Sequence, residues 1–175
     1  MYVVQRPLKS TIDRFDFPDP NCPTMQTIQR IFLVEDDIDD RELFTKALAE
    51  ISDTIELTCV GECVDMLPLL EELVPDLVFL DLQLPKRHGR DCLADIQAHP
   101  VLQAIPLVII TSLHAPQDIT ACLTGGAKLF FQKPANYREL VRHLRTILRL
   151  SWDHPGSVPP MYLQDGVFRP FHDPA

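Results

Sequence analysis

No apolar run in this chain approaches the roughly 20 residues needed to cross a bilayer. The first residues, Met1-Tyr2-Val3-Val4-Gln5-Arg6-Pro7, lack the apolar core of a secretory signal. Positive charge is also short: 16 Lys and Arg stand against 25 Asp and Glu, a formal net charge of −9. That balance disfavours nonspecific binding to nucleic acid, where backbone phosphates reward clustered cations. There is no Walker-type GxxxxGK[ST] sequence, which removes the P-loop enzymes. The six histidines show neither metal-ligand spacing nor acid–base pairing. Five cysteines (Cys22, Cys59, Cys63, Cys92, Cys122) cannot all pair within one chain, and Cys59 with Cys63 is a lone C-x3-C, a weak zinc signal. Reduced thiols in a cytoplasmic protein are the expectation. No internal repeat is visible.

What is present is one domain's worth of ordinary globular chain: 175 residues, 46% hydrophobic and 23% charged. Proline marks its limits, with nine of the 16 prolines in residues 1–26 and 152–175. Those ends lack sustained periodicity and read as an N-terminal extension (1–26) and a proline-rich C-terminal tail (152–175) around a domain at 27–151. Met25, just ahead of the first strand-like run, is a candidate native start. Inside the domain, strand-like runs near 30–35, 55–60, 76–81, 106–111 and 128–132 alternate with helical patterns. This βαβα alternation predicts a parallel sheet with helices on both faces.

The helical pattern after the first run places Leu43, Phe44, Ala47, Leu48 and Ile51 on one face. The last, about 137–150, turns Leu140, Val141, Leu144, Ile147 and Leu148 inward, with Asn136 and Glu139 as a capping box. Its opposite side carries Arg138, Arg142, Arg145 and Arg149, a solvated face or a docking stripe. Gly125-Gly126 predicts a helix C-cap.

Four of the apolar runs stop at a polar residue with chemical potential. Ile31-Phe32-Leu33-Val34 ends in Glu35-Asp36-Asp37, and Leu77-Val78-Phe79-Leu80 ends in Asp81. Leu107 to Ile110 ends in Thr111-Ser112, and Leu129 to Gln132 ends in Lys133-Pro134. Parallel strands would bring these ends to one sheet edge, where open α/β folds bind ligands. Three carboxylates held together repel unless something positive relieves them, and Lys133 with a hard divalent cation would do so. Few-carboxylate sites that leave places for water and phosphate suit Mg²⁺. An aspartate beside such a cation can act as nucleophile toward phosphorus, with Thr111 and Lys133 stabilising phosphoryl oxygens.

On these residues the chain resembles the response-regulator receiver domains of two-component signalling, over about residues 28–150. The acidic pair follows the first run, Pro85 and Gly89 lie four and eight positions after Asp81, and Thr111 and Lys133-Pro134 keep the family spacing. The resemblance implies a flavodoxin-like (βα)5 fold, a doubly wound five-stranded parallel sheet of order 2-1-3-4-5. It implies Asp81 as phosphoacceptor, and Glu35, Asp36, Asp81 and the Gln83 backbone carbonyl around Mg²⁺. Thr111 and Lys133 would stabilise the phosphoryl group, and Thr111 and Phe130 would form the switch. Ser112, Leu113 and Pro134 would line the site, with a cis bond before Pro134. Asp37 is expected to cap the first helix, and Asp39 and Asp40 to serve its first turn or face solvent.

The implied function is a stand-alone phosphorylation switch without a DNA-binding domain or membrane attachment. It would be charged by a sensor histidine kinase or phosphotransfer protein and read by a downstream protein, homodimer formation being open. It would catalyse only its own phosphoryl transfer and dephosphorylation, the latter slowly, because Leu113 cannot hydrogen-bond an attacking water. The alternatives are a phosphorylation-independent binding module and a haloacid-dehalogenase-like phosphatase; the latter wants an acid where Gln83 stands.

Overall fold

Unbroken apolar runs become strands where both faces of a sheet are covered, and the computed structural model follows that rule. It describes residues 3–5, 28–113, 115–152, 158, 160–164 and 167–171; Cys22 and Met25 lie outside them. The expected strands are β2 (Arg30–Val34), β3 (Glu56–Val60), β4 (Leu77–Leu80), β5 (Leu107–Thr111) and β6 (Leu129–Gln132). Between and after them run α1 (Ile38–Ile51), α2 (Cys63–Leu73), α3 (Gly89–Ala98), α4 (Pro116–Thr124) and α5 (Tyr137–Leu148). These strands are parallel neighbours in the order β3-β2-β4-β5-β6, the expected doubly wound arrangement.

Alternate strand residues feed two cores. Leu33, Phe79, Ile110 and Phe131 meet Phe44, Ala47 and Leu48 of α1 and Leu140, Leu144 and Ile147 of α5. Phe32, Leu80, Ile109 and Phe130 meet Met66 of α2, Ile96 of α3 and Leu123 of α4. In α1 the expected face is narrower than read, since Leu43 is 41% exposed. In α5 the apolar face is as read, with His143 added to it, and the four arginines are exposed. Asn136 caps α5 by accepting from the Glu139 N–H at 3.0 Å. Gly125 ends α4, and Gly126 follows at φ +104°, a conformation open to glycine.

Three strands correct the reading of the ends as tails. β1 (Val3–Gln5) pairs antiparallel with β3, β7 (Met161–Gln164) pairs parallel with β6, and β8 (Val167–Pro170) pairs antiparallel with β7. Strands of three and four residues are too short to display a period, and the sheet edge supplies their partners. Trp152, Val158 and Leu163 join the first core, so packing continues beyond residue 151.

The cysteine reading is also corrected. Cys63 at the start of α2 and Cys92 in α3 form a disulfide, with Cα atoms 5.9 Å apart, inside the usual range. The partners lie 29 positions apart in sequence, so local spacing could not show the pair. Cys59 and Cys122 are free and buried, and burial pushes both thiols up to about 11.

Candidate functional site

Parallel pairing delivers the polar run-ends to one edge because the ladder continues one step past each strand. The Glu35 N–H donates to the Val60 carbonyl at 2.9 Å, that of Asp81 to Val34 at 3.0 Å, and that of Lys133 to Thr111 at 2.8 Å. The edge lies where β2 is flanked by β3 and β4, at the reversal of strand order. Glu35 and Asp81 are 2% exposed and Thr111 is fully buried, while Asp36 is exposed. Glu35, Asp36 and Asp81 can each place one carboxylate oxygen within 4.8 Å of the others. An all-carboxylate set of this size, open on the Asp36 side, fits a hard divalent cation with room for water and phosphate oxygens.

Lys133 brings the countercharge. Its Nζ lies 2.6 Å from Glu35 Oε2, 2.8 Å from Asp81 Oδ2 and 2.7 Å from Asp40 Oδ2. Burial pushes the Glu35 carboxyl up to about 7 against the pull of Lys133. Burial also lowers the Lys133 pKa, but the carboxylates of Asp40, Asp81 and Glu35 outweigh it and hold the ammonium above its ordinary value. The pocket therefore keeps its lysine charged among the three carboxylates.

The loops are fixed around these groups. Asp81 Oδ1 accepts from the Gln83 N–H at 3.0 Å. Asp37 caps α1 as expected, accepting from the N–H groups of Asp39 and Asp40 at 2.8 and 3.1 Å. Gly89 opens α3 against the backbone of Asp81 and Leu82: a Cβ there would come 2.7 Å from Leu82 Cα and closer still to the Asp81 carbonyl. Glycine eight positions after Asp81 is thus a steric requirement. Lys86 in the same loop sits at φ +65° and pairs with Glu62 across the β3–α2 turn. Thr111 Oγ1 accepts from the Leu113 N–H at 3.4 Å. Leu113 packs against the second core, Ser112 is exposed, and Pro134 lines a cleft of about 100 Å³ between α1 and the β6–α5 turn. Phe130 is buried on the core face that Ile109 shares and stands in register with Tyr162 of β7.

Two expectations differ here. No cis peptide bond occurs among the described residues, so the Lys133–Pro134 bond is trans, the intrinsically preferred form. Asp40, read as a helix-start or solvent residue, is instead a partner of Lys133. A signal was available, because helical side chains lean toward the N-terminus. An acid in the first turn of a helix that starts at the strand edge therefore overhangs that edge.

A family model described as the response regulator receiver domain matches residues 31–145. The DNA-binding response regulator MtrA of Mycobacterium tuberculosis is 32% identical over 130 residues, covering 74% of this chain and 55% of MtrA. The chain thus spans about half the length of that relative. Response regulator Rcp1 of Synechocystis is 30% identical over 124 residues, covering 67% of this chain and 84% of Rcp1. In three dimensions the chain is similar to the phosphorylated cyanobacterial phytochrome response regulator RcpA, with a TM-score of 0.65 and 31% identity over 72% of this chain and 95% of RcpA. The Mn²⁺-bound form of Rcp1 gives a TM-score of 0.62 at 30% identity over 68% of this chain and 91% of that structure.

Proposed function

Because this chain belongs to the response regulator receiver family, a family of two-component signalling modules, we propose that it is a phosphorylation switch whose acceptor is Asp81. The observation that carries the proposal is the meeting of Lys133 Nζ with Asp81 Oδ2 at 2.8 Å beside the Glu35–Asp36–Asp81 cluster. A carboxylate oxygen of Asp81 attacks the phosphorus of a phosphohistidine on a kinase or phosphotransfer protein. The new P–O bond forms as the P–N bond breaks, and the imidazole leaves with the electron pair and takes up a proton. Glu35, Asp36, Asp81 and the Gln83 carbonyl would hold Mg²⁺, which offsets charge on the carboxylates and the phosphoryl oxygens when bound. The hydroxyl of Thr111 and the ammonium of Lys133 each take a phosphoryl oxygen.

The output is a change of protein contacts. Thr111 and Phe130 respond to the phosphoryl group, and the exposed arginines Arg138, Arg142, Arg145 and Arg149 of α5 offer a partner or a second copy a cationic stripe. Ser112, Leu113 and Pro134 line the site. Leu113 presents no polar group to an attacking water, so the phosphoryl group is long-lived. Among the described residues no helix is long and apolar enough to cross a membrane. The family match favours this reading over the phosphatase alternative.

Incubation with acetyl phosphate and Mg²⁺, followed by intact mass, tests this reading. Wild type should gain one phosphoryl group and keep it for minutes, while Asp81→Ala gains none. No gain in wild type, or an equal gain in both proteins, would sink it; loss of the label within seconds would sink the role given to Leu113.

A further inference from the structure

The three carboxylates that share the Lys133 ammonium are not equivalent. Glu35 and Asp81 are buried, and both belong to the set that can converge on a cation. Asp40 belongs to α1, has its side chain 41% exposed, and stands outside that set, yet its Oδ2 lies 2.7 Å from Lys133 Nζ. A cation that draws on Glu35 and Asp81 removes negative charge from around the lysine. Asp40 is the partner whose charge stays wholly on the ammonium.

The contact is well held. The backbone of Asp40 is fixed by the Asp37 cap at 3.1 Å, and the pair joins α1 to the β6–α5 turn across 93 positions of sequence. Behind it, Leu43, Phe44, Ile110 and Pro134 line one side of the cleft with apolar surface, where a charge pair is screened less than in open water. An ammonium has three donors. With one spent on Asp40, two remain for the sheet edge where a phosphoryl oxygen would arrive.

We infer that Asp40 is a positioning residue: it holds Lys133 at the site while Glu35 and Asp81 serve the cation and the phosphoryl group. Its use rests on the receiver reading; the contact does not. Without Asp40 the ammonium falls back on Glu35 and Asp81 and competes with the metal for them.

The test is a double-mutant cycle in the full chain with Asp40→Asn and Lys133→Met, read by calorimetric Mg²⁺ titration and by urea midpoints without metal. Asp40→Asn should weaken Mg²⁺ binding about three- to tenfold when Lys133 is present and by less than about twofold when it is Met. Asp40→Glu should recover most of the loss. Equal losses in both backgrounds would make Asp40 a plain charge acting at a distance, and no loss with Lys133 present would make the contact idle; either overturns the inference. If wild type neither binds Mg²⁺ nor takes a phosphoryl group, the receiver reading has failed, and the metal-free urea midpoints decide alone. Non-additive shifts then support the Asp40–Lys133 coupling and additive shifts reject it.

Discussion

β4 and β7 are strands of equal length in one sheet, Leu77-Val78-Phe79-Leu80 and Met161-Tyr162-Leu163-Gln164, and they are held there on different terms. Every β4 residue is fully buried, with covered faces above and below and parallel partners on either side. Such a strand carries its own reason to exist, because leaving any of its side chains in water forfeits burial energy. In β7, Leu163 is buried while Met161 and Tyr162 are half-buried. Its place is set by the free edge of β6, to which it adds a parallel ladder that the Met161 N–H begins on the Lys128 carbonyl at 3.1 Å. The central strands make the site and the flanking ones close the edge beside it.

Substitution should separate the two regions. Phe79→Ala opens a cavity against Phe44, with which its ring makes an edge contact at 5.0 Å, and should cost about 3–5 kcal/mol in chemical denaturation. Leu163→Ala should cost about 2 kcal/mol, at the low end for such truncations, and speed hydrogen exchange in β7 and β8 ahead of β4. Equal costs would erase the distinction. Reduction of the Cys63–Cys92 link, which closes a loop of 29 positions on the α2–α3 face, should cost about 3.6 kcal/mol by chain entropy, above Leu163→Ala and within the Phe79→Ala range, seen as a lower urea midpoint with reductant. An unchanged midpoint would mean that the two sulfurs are not bonded in solution.

The smallest effect probes the junction. His143 packs edge-on against Phe131, whose register partner is Leu163. Burial first, and the Arg142 charge second, lower the pKa of His143 below the ordinary 6.5. The folded state thus binds the proton less readily than the unfolded one. Stability is full above about 6.5 and is lost as pH falls through that value toward the folded pKa. His143→Phe should flatten this acid-side slope between pH 7 and 5; a slope that survives the substitution belongs to another group.

The central architecture and most of the site were legible because each acid, Thr111 and Lys133 punctuates an apolar run, and parallel pairing turns run-ends into neighbours. Local chemistry alone also predicted the caps at Asp37, Asn136 and Gly125. What escaped depends on distance rather than composition. The Asp40–Lys133 contact spans 93 positions and the cysteine pair 29, and neither spacing leaves a local trace. The flanking strands borrow their hydrogen bonds from a neighbour that sequence does not place beside them. The exposure of Leu43 reflects a cleft between α1 and the β6–α5 turn, a property of how two elements sit together.

The reach of Lys133 bears on how the molecule is made. During synthesis from the N-terminus, Glu35, Asp40 and Asp81 all leave the ribosome before the lysine that pairs with them. A nascent chain ending before β6 would carry these carboxylates without their lysine. Docking of the fifth central strand brings in the cation along with hydrophobic surface, so charge neutralisation and completion of the core arrive in one event. Truncated products would then be acidic and open rather than half-functional, and the edge would become competent only when the last central strand is in place.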